Sequence, residues 1–322
     1  MTRADELVAR MRAGDVRALA RAVSLVENAA PDAVDVLSAC FPYTGKALRV
    51  GVTGAPGAGK STLVDRLARV WRAAGSMVGV IAVDPTSPFT GGALLGDRIR
   101  MQEKSGDGGL YVRSMATRGS LGGLAGTTAD VMQVIEASGR DVVLIETVGV
   151  GQDEVEIVRV ADVTVVVLVP GMGDDVQSLK AGIMEIADIF AVNKADREGA
   201  DRVEKEIRAM QSLAGSHLAG VAPVVKTVGT TGEGVDALYT AIEQRREWLA
   251  AHGRLEARRT AYWRARIDGM LQQALLAEVR AHGLSEAELG GHAAQVATCA
   301  EDPYRLVPEL VARVFHARGG KR

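Results

Sequence analysis

Gly54-Ala55-Pro56-Gly57-Ala58-Gly59-Lys60-Ser61 fills the pattern G-x-x-x-x-G-K-[ST], and it stands between an apolar run, Leu48–Thr53, and a stretch of helical periodicity, Thr62–Arg72. Strand, glycine-rich turn and helix in that order make a phosphate-binding loop. The glycines let backbone N–H groups turn inward around an anion, and the helix N-terminus adds partial positive charge. In this pattern Lys60 reaches the β- and γ-phosphates and the Ser61 hydroxyl ligates Mg²⁺, with Thr62 opening the helix behind them. The stretch therefore predicts an α/β P-loop NTPase, with a mostly parallel sheet flanked by helices.

Working outward, residues 46–250 alternate short apolar runs with amphipathic stretches, the pattern of parallel strands and crossover helices. The strand candidates are Leu48–Thr53, Val78–Val83, Tyr111–Arg113, Val142–Ile145, Val163–Val169, Ile189–Val192 and Val221–Val225. Residues 1–45 read as a helical N-terminal extension, in which Asp15 caps a second helix, Pro31 and Asp32 begin a third and Pro42 stops it. Residues 251–322 hold no strand candidate and read as a helical C-terminal extension, its last helix starting at Asp302 and Pro303.

Asn193-Lys194-Ala195-Asp196 follows the strand Ile189–Val192. The Asp196 carboxylate can accept from both N1–H and the exocyclic N2–H₂ of guanine, donors that adenine lacks, so the motif predicts guanine reading. The Lys194 stem lies along the base plane. The expected ligands are GTP and GDP with Mg²⁺.

The run Asp141–Gly149 ends a second nucleotide strand with Glu146-x-x-Gly149, where most GTPases have Asp-x-x-Gly. The Gly149 amide is placed to meet a γ-phosphate. Glu146, one methylene longer than aspartate, either holds a magnesium-bound water or orients the attacking one; a purely structural role is the alternative. Asp84, closing the strand Val78–Val83, and Asp97, in the glycine-rich stretch that follows, both suit the oxygen-rich shell of Mg²⁺. Asp97 also suits a cap for Ile99–Lys104. We expect Glu146, Asp97 and Lys60 to carry the chemistry.

The chain has 322 residues, 47% of them hydrophobic and 24% charged, with a formal net charge of -2, which argues against a general nucleic-acid binder. The arginine-rich run Arg254–Arg266 is expected to be a solvated helix face. No apolar run approaches the ~20 residues of a membrane span, and no signal peptide is read at the N-terminus. Cys40 and Cys299 stand at no metal-like spacing and are expected to stay reduced, in a cytoplasmic setting.

Taken together, these residues resemble the MeaB/ArgK-like GTPases, of the signal-recognition and MinD-like half of the P-loop fold. The resemblance runs from about residue 10 to 245. It is carried by Gly14–Arg21, the phosphate loop, Val83–Ser87, Gly96–Met101, Arg118–Gly123, Glu146-Thr147-Val148-Gly149-Val150-Gly151-Gln152, Pro170–Gln177 with Lys180, and Asn193–Asp196. It implies a G-protein chaperone of an adenosylcobalamin-dependent acyl-CoA mutase, chiefly methylmalonyl-CoA mutase, that gates cofactor loading and protects the mutase. It also implies a homodimer joined through the C-terminal helices. Gln177 and Lys180 fall in what looks like the family's additional switch, responding to the partner; read without the family they form a polar helix face. Val228 and Gly229 stand where relatives often have Ser-Ala, which keeps a backbone contact to guanine and removes a side-chain one.

Three other readings compete. An older family name implies an ATP-dependent kinase, against which Asp196 stands. A nickel-delivering GTPase would need Cys or His ligands near the nucleotide, and none lies between Cys40 and His217. A scaffold that binds GTP without useful turnover is the third. No arginine is obviously catalytic, so either Arg118 acts in cis or a partner must reorder the site.

Overall fold

Strand β1, Leu48–Gly54, is buried along its whole length, as a central strand covered on both faces must be. The computed structural model describes residues 2–84, 107–116, 123–147, 160–171, 186–213, 221–282 and 284–319. Around β1 lie β2 (Val78–Asp84), β3 (Leu110–Ala116), β4 (Val142–Glu146), β5 (Val163–Leu168), β6 (Ile189–Asn193) and β7 (Val224–Thr227). All pair in parallel in the order β3-β2-β4-β1-β5-β6-β7. The order reverses at β1, between β4 and β5, and such a switch point is where open α/β sheets bind ligands. Register brings the motif residues level with one another: Val52 pairs with Glu146 on one side, and Asn193 pairs with Thr227 farther along.

On one face pack α4 (Lys60–Ala73) and α7 (Val235–Ala251), through Leu63, Leu67, Trp71, Leu238 and Ile242, all fully buried against the valines of β1 and β5. Trp71 Nε1 donates to Glu243 Oε1 across the two helices (3.0 Å). The other face takes α5 (Gly123–Ala137) and α6 (Ala200–Leu213), the latter setting Val203 and Ile207 against Phe190 and Val192. Helices α1 (Arg3–Arg12), α2 (Val16–Glu27) and α3 (Ala33–Cys40) form a group that leans on α5. Asp15 caps α2 as expected, accepting from the amides of Arg17 and Ala18 (2.9 and 3.0 Å).

The chain divides into two compact units, residues 1–260 and 261–322, the division falling within α8 (Arg254–His282). The second unit holds the rest of α8 with α9 (Glu286–Ala297) and α10 (Pro303–Gly319). A capping box between Ser285 and Glu288 opens α9, and Asp302 caps α10 by accepting from the Tyr304 amide (2.9 Å). Among the described residues no helix is long and apolar enough to cross a membrane.

The arginine-rich run departs from expectation. Arg258 holds Asp188 through two hydrogen bonds (2.7 and 2.9 Å), and Arg259 holds Asp162 in the same way (2.9 and 2.7 Å). Both carboxylates precede a strand, are about 2% exposed, and already accept from the backbone amides of Thr164 and Arg49. A buried carboxylate needs a charged partner, and these guanidinium groups supply it, so this part of the run is structural and not a solvated face.

Candidate functional site

The phosphate loop is shaped by contacts only glycine permits. Gly54 has φ +138°, and a Cβ there would stand 2.2 Å from the Val167 carbonyl oxygen of β5. Gly59, at φ +88°, would place a Cβ 2.5 Å from Asn193 Nδ2. The loop thus closes tightly enough for α4 to begin at Lys60 with its first amides directed into it. Lys60, 6% exposed, donates from Nζ to Gly54 O (2.6 Å) and Ala55 O (2.9 Å), so its ammonium is folded back over the loop. Lys194 donates from the other side to Gly57 O (2.7 Å). Two cations and a helix N-terminus converge on one loop, which suits a polyphosphate.

Ser61 Oγ donates to Glu146 Oε1 at 2.5 Å, joining the start of α4 to the end of β4. Glu146 is 5% exposed. Beside it Thr147 is held by its hydroxyl to that of Thr53 (3.1 Å) and by its amide to Val52 O (3.2 Å). The carboxylate and the hydroxyl form a polar pair between the end of β4 and the start of α4, next in sequence to Lys60. A hydroxyl and a carboxylate are the hard oxygen donors that Mg²⁺ takes, so these residues fit that ion.

Asn193 ties the base side to the phosphate side. Its Nδ2 donates to Ala58 O (2.8 Å), while Oδ1 accepts from the Gly229 amide (3.0 Å) and the Thr227 hydroxyl (3.2 Å). Lys194 follows with φ +56°, a turn that directs its side chain over the loop and leaves Asp196 exposed. A pocket of about 120 Å³ opens here, lined by Gly59, Thr62, Asp196, Val228, Gly229 and Thr230 among others.

The structure thus gathers residues 54–62, Glu146, Asn193, Lys194, Asp196, Val228 and Gly229. Asp84 closes β2, its backbone paired with Ala116 two positions beyond the level of Glu146. Asp97, Gly149, Gln177, Lys180 and Arg118 lie outside the described residues. Among the described residues no three His, Cys, Asp or Glu side chains are grouped to hold a metal. Thr53, Thr227 and Arg66 belong to the site's framework but carried no local signal in sequence.

A family model described as "Methylmalonyl Co-A mutase-associated GTPase MeaB" matches residues 19–283. The chain belongs to the MeaB GTPase family. It is a P-loop GTPase. A Pyrococcus abyssi relative is 55% identical to this MeaB-family chain over 79% of it and 80% of its own length. GTPase ArgK of Escherichia coli is 38% identical over 78% of each, and the mouse mitochondrial methylmalonic aciduria type A homolog is 33% identical over 84% of this chain and 66% of its own. Among solved structures, one described as an LAO/AO transport system kinase superposes with a TM-score of 0.70 at 27% identity, covering 96% of this chain and 97% of that one.

Proposed function

We propose that this MeaB-family GTPase is a guanine-nucleotide-gated chaperone of an adenosylcobalamin-dependent acyl-CoA mutase, most directly methylmalonyl-CoA mutase. The observation that carries the nucleotide part is the Asn193 bridge, which sets an Asp196 pocket beside the phosphate loop. Asp196 pairs with the two guanine donors and Lys194 flanks the base. Lys60 and the loop amides hold the β- and γ-phosphates. Ser61 and Glu146, with Asp84 or Asp97, would hold Mg²⁺ directly or through its waters; the ion neutralises charge developing on the phosphates. Glu146 also orients the attacking water, and the Gly149 amide meets the γ-phosphate. A kinase reading that uses ATP is disfavoured by Asp196, whose carboxylate finds no donors on adenine.

The family description supports the mutase as partner. Gln177 and Lys180 are the proposed residues that respond to it, and the cytoplasm is the proposed location. A homodimer through the second unit is supported by apolar side chains at helical spacing that are exposed: Ile267, Leu271 and Leu275 on α8, and Tyr304, Val307 and Val311 on α10.

The test is steady-state phosphate release from GTP, with and without an acyl-CoA mutase of the same organism. The mutase is expected to accelerate release, and Lys180→Ala to keep the basal rate while losing most of the acceleration. If no such mutase alters the rate or binds at about micromolar concentration, an ordinary strength for a specific complex, the chaperone reading fails and the GTPase alone stands.

A further inference from the structure

The loop that follows β7 lines the base pocket through Val228, Gly229 and Thr230. Val228 has an apolar side chain, and the Gly229 amide is already taken by Asn193 Oδ1. Polar recognition by this loop therefore falls to the Thr230 hydroxyl and to its remaining backbone groups, whose aim the loop's supports set. One end of the loop is closed by pairing of Val228 with Glu233, the Val228 amide donating to Glu233 O (2.9 Å). Among the described residues, the carbonyl groups of the tip are held from outside by Arg66, as the Gly229 amide is by Asn193. Arg66, one turn beyond Thr62 on α4, donates from Nη2 to Thr230 O (2.6 Å) and from Nε to Gly229 O (3.3 Å). Its guanidinium also lies 3.8–4.0 Å from where a Cβ of Gly232 would stand.

We propose that Arg66 is a positioning residue for base recognition, fixing the loop tip whose backbone amide reads the acceptor edge of guanine. In a trans peptide the carbonyl of one residue and the N–H of the next point in opposite directions. Holding Gly229 O toward α4 therefore sets the direction of the Thr230 N–H. The planar fork of arginine engages two successive carbonyls at once, which a lysine ammonium does with less geometric control. Because Arg66 rides on the helix that the phosphate loop begins, the two halves of the nucleotide site keep a fixed separation. The inference rests on the assignment of the Asp196 pocket to guanine.

Calorimetric titration of the full chain with GDP and with pyrophosphate, in the presence of Mg²⁺, tests it. Arg66→Ala should bind GDP about tenfold more weakly, the scale of one lost hydrogen bond, and bind pyrophosphate as the wild type does. Arg66→Lys should recover part of the GDP affinity. Were Arg66→Ala not to fold, Arg66→Gln, which keeps one donor, is read by the same criteria. GDP affinity unchanged in the Arg66 variants but weakened in Asp196→Asn overturns the role of Arg66. So does an equal loss for GDP and pyrophosphate, which would mean that Arg66 only supports α4. GDP affinity unchanged in Asp196→Asn removes the guanine assignment itself.

Discussion

Ser61 Oγ and Glu146 Oε1 lie 2.5 Å apart, joining the first turn of the phosphate-loop helix to the last residue of β4 across 85 positions of sequence. The contact exists because β1 and β4 are neighbours in register, with Val52 level with Glu146. The phosphate loop leaves β1 at Gly54, two positions beyond that level. Glutamate spans the gap from β4 to the α4 hydroxyl with its extra methylene. One carboxylate thus reaches the hydroxyl proposed to ligate Mg²⁺.

Specificity for the base should reside in Asp196. Asp196→Asn is expected to lower GTP affinity by about 1–3 kcal/mol, since one donor–acceptor pair becomes a clash of donors. Titration with GTP and ATP checks this, and equal affinity of the wild type for both nucleotides would contradict it.

At the opposite end of β6, Asp188 should matter for folding and not for nucleotide. It is 2% exposed and is held by Arg258 (2.7 Å) and Arg245 (3.1 Å). Removing one member of a buried charge cluster typically costs about 3–5 kcal/mol, so Asp188→Ala should lower stability on that scale. Denaturant unfolding gives the loss. GDP affinity of the folded variant should stay within about twofold of wild type, because a five-residue strand at roughly 3.3 Å per residue separates the site from the substitution.

These two aspartates also mark how far local sequence carries. The phosphate loop, Glu146 and Asn193–Asp196 were legible because each is a contiguous motif at the end of an apolar run. The pairing of Asp162 and Asp188 with Arg259 and Arg258 was not, because the partners lie 97 and 70 positions apart. Nothing in a helical arginine run says which members will bend over a buried carboxylate. Strand limits failed for similar reasons. β3 extends past Arg113 to Ala116, its polar Arg113 being neutralised by Glu27 of α2. β7 runs Val224–Thr227 in place of Val221–Val225: Pro223 has no amide to give the ladder, and only its carbonyl takes part, accepting from Phe190. Arg66 carried no signal at all, since it acts on carbonyl groups 163 and 164 residues away.

The two cysteines should differ sharply in reactivity. Cys40 is fully buried at the end of α3, and burial pushes its thiol up from the ordinary 9.0 to about 12. Cys299 is exposed. Ellman's reagent at pH 8 should therefore titrate one thiol quickly in the native protein and two after denaturation. The sign of the linkage follows. With the folded value above the unfolded one, this thiol's contribution to stability is whole below pH 9 and is lost as pH rises toward 12. Rapid reaction of both thiols in the native state would contradict the packing of α3.

The most direct test of the account is single-turnover release of phosphate from bound GTP by wild type and Glu146→Gln. The substitution keeps the shape and the hydrogen bond with Ser61 but removes the negative charge and basicity of the side chain. GTP should be bound to nearly the same extent by both proteins, and release should be slower by about 10²-fold or more in the variant, the lower end of what a positioned base contributes. Release at the wild-type rate from an equally loaded Glu146→Gln would show that Glu146 is structural and that the catalytic carboxylate lies elsewhere, with Asp97 as the first residue to replace.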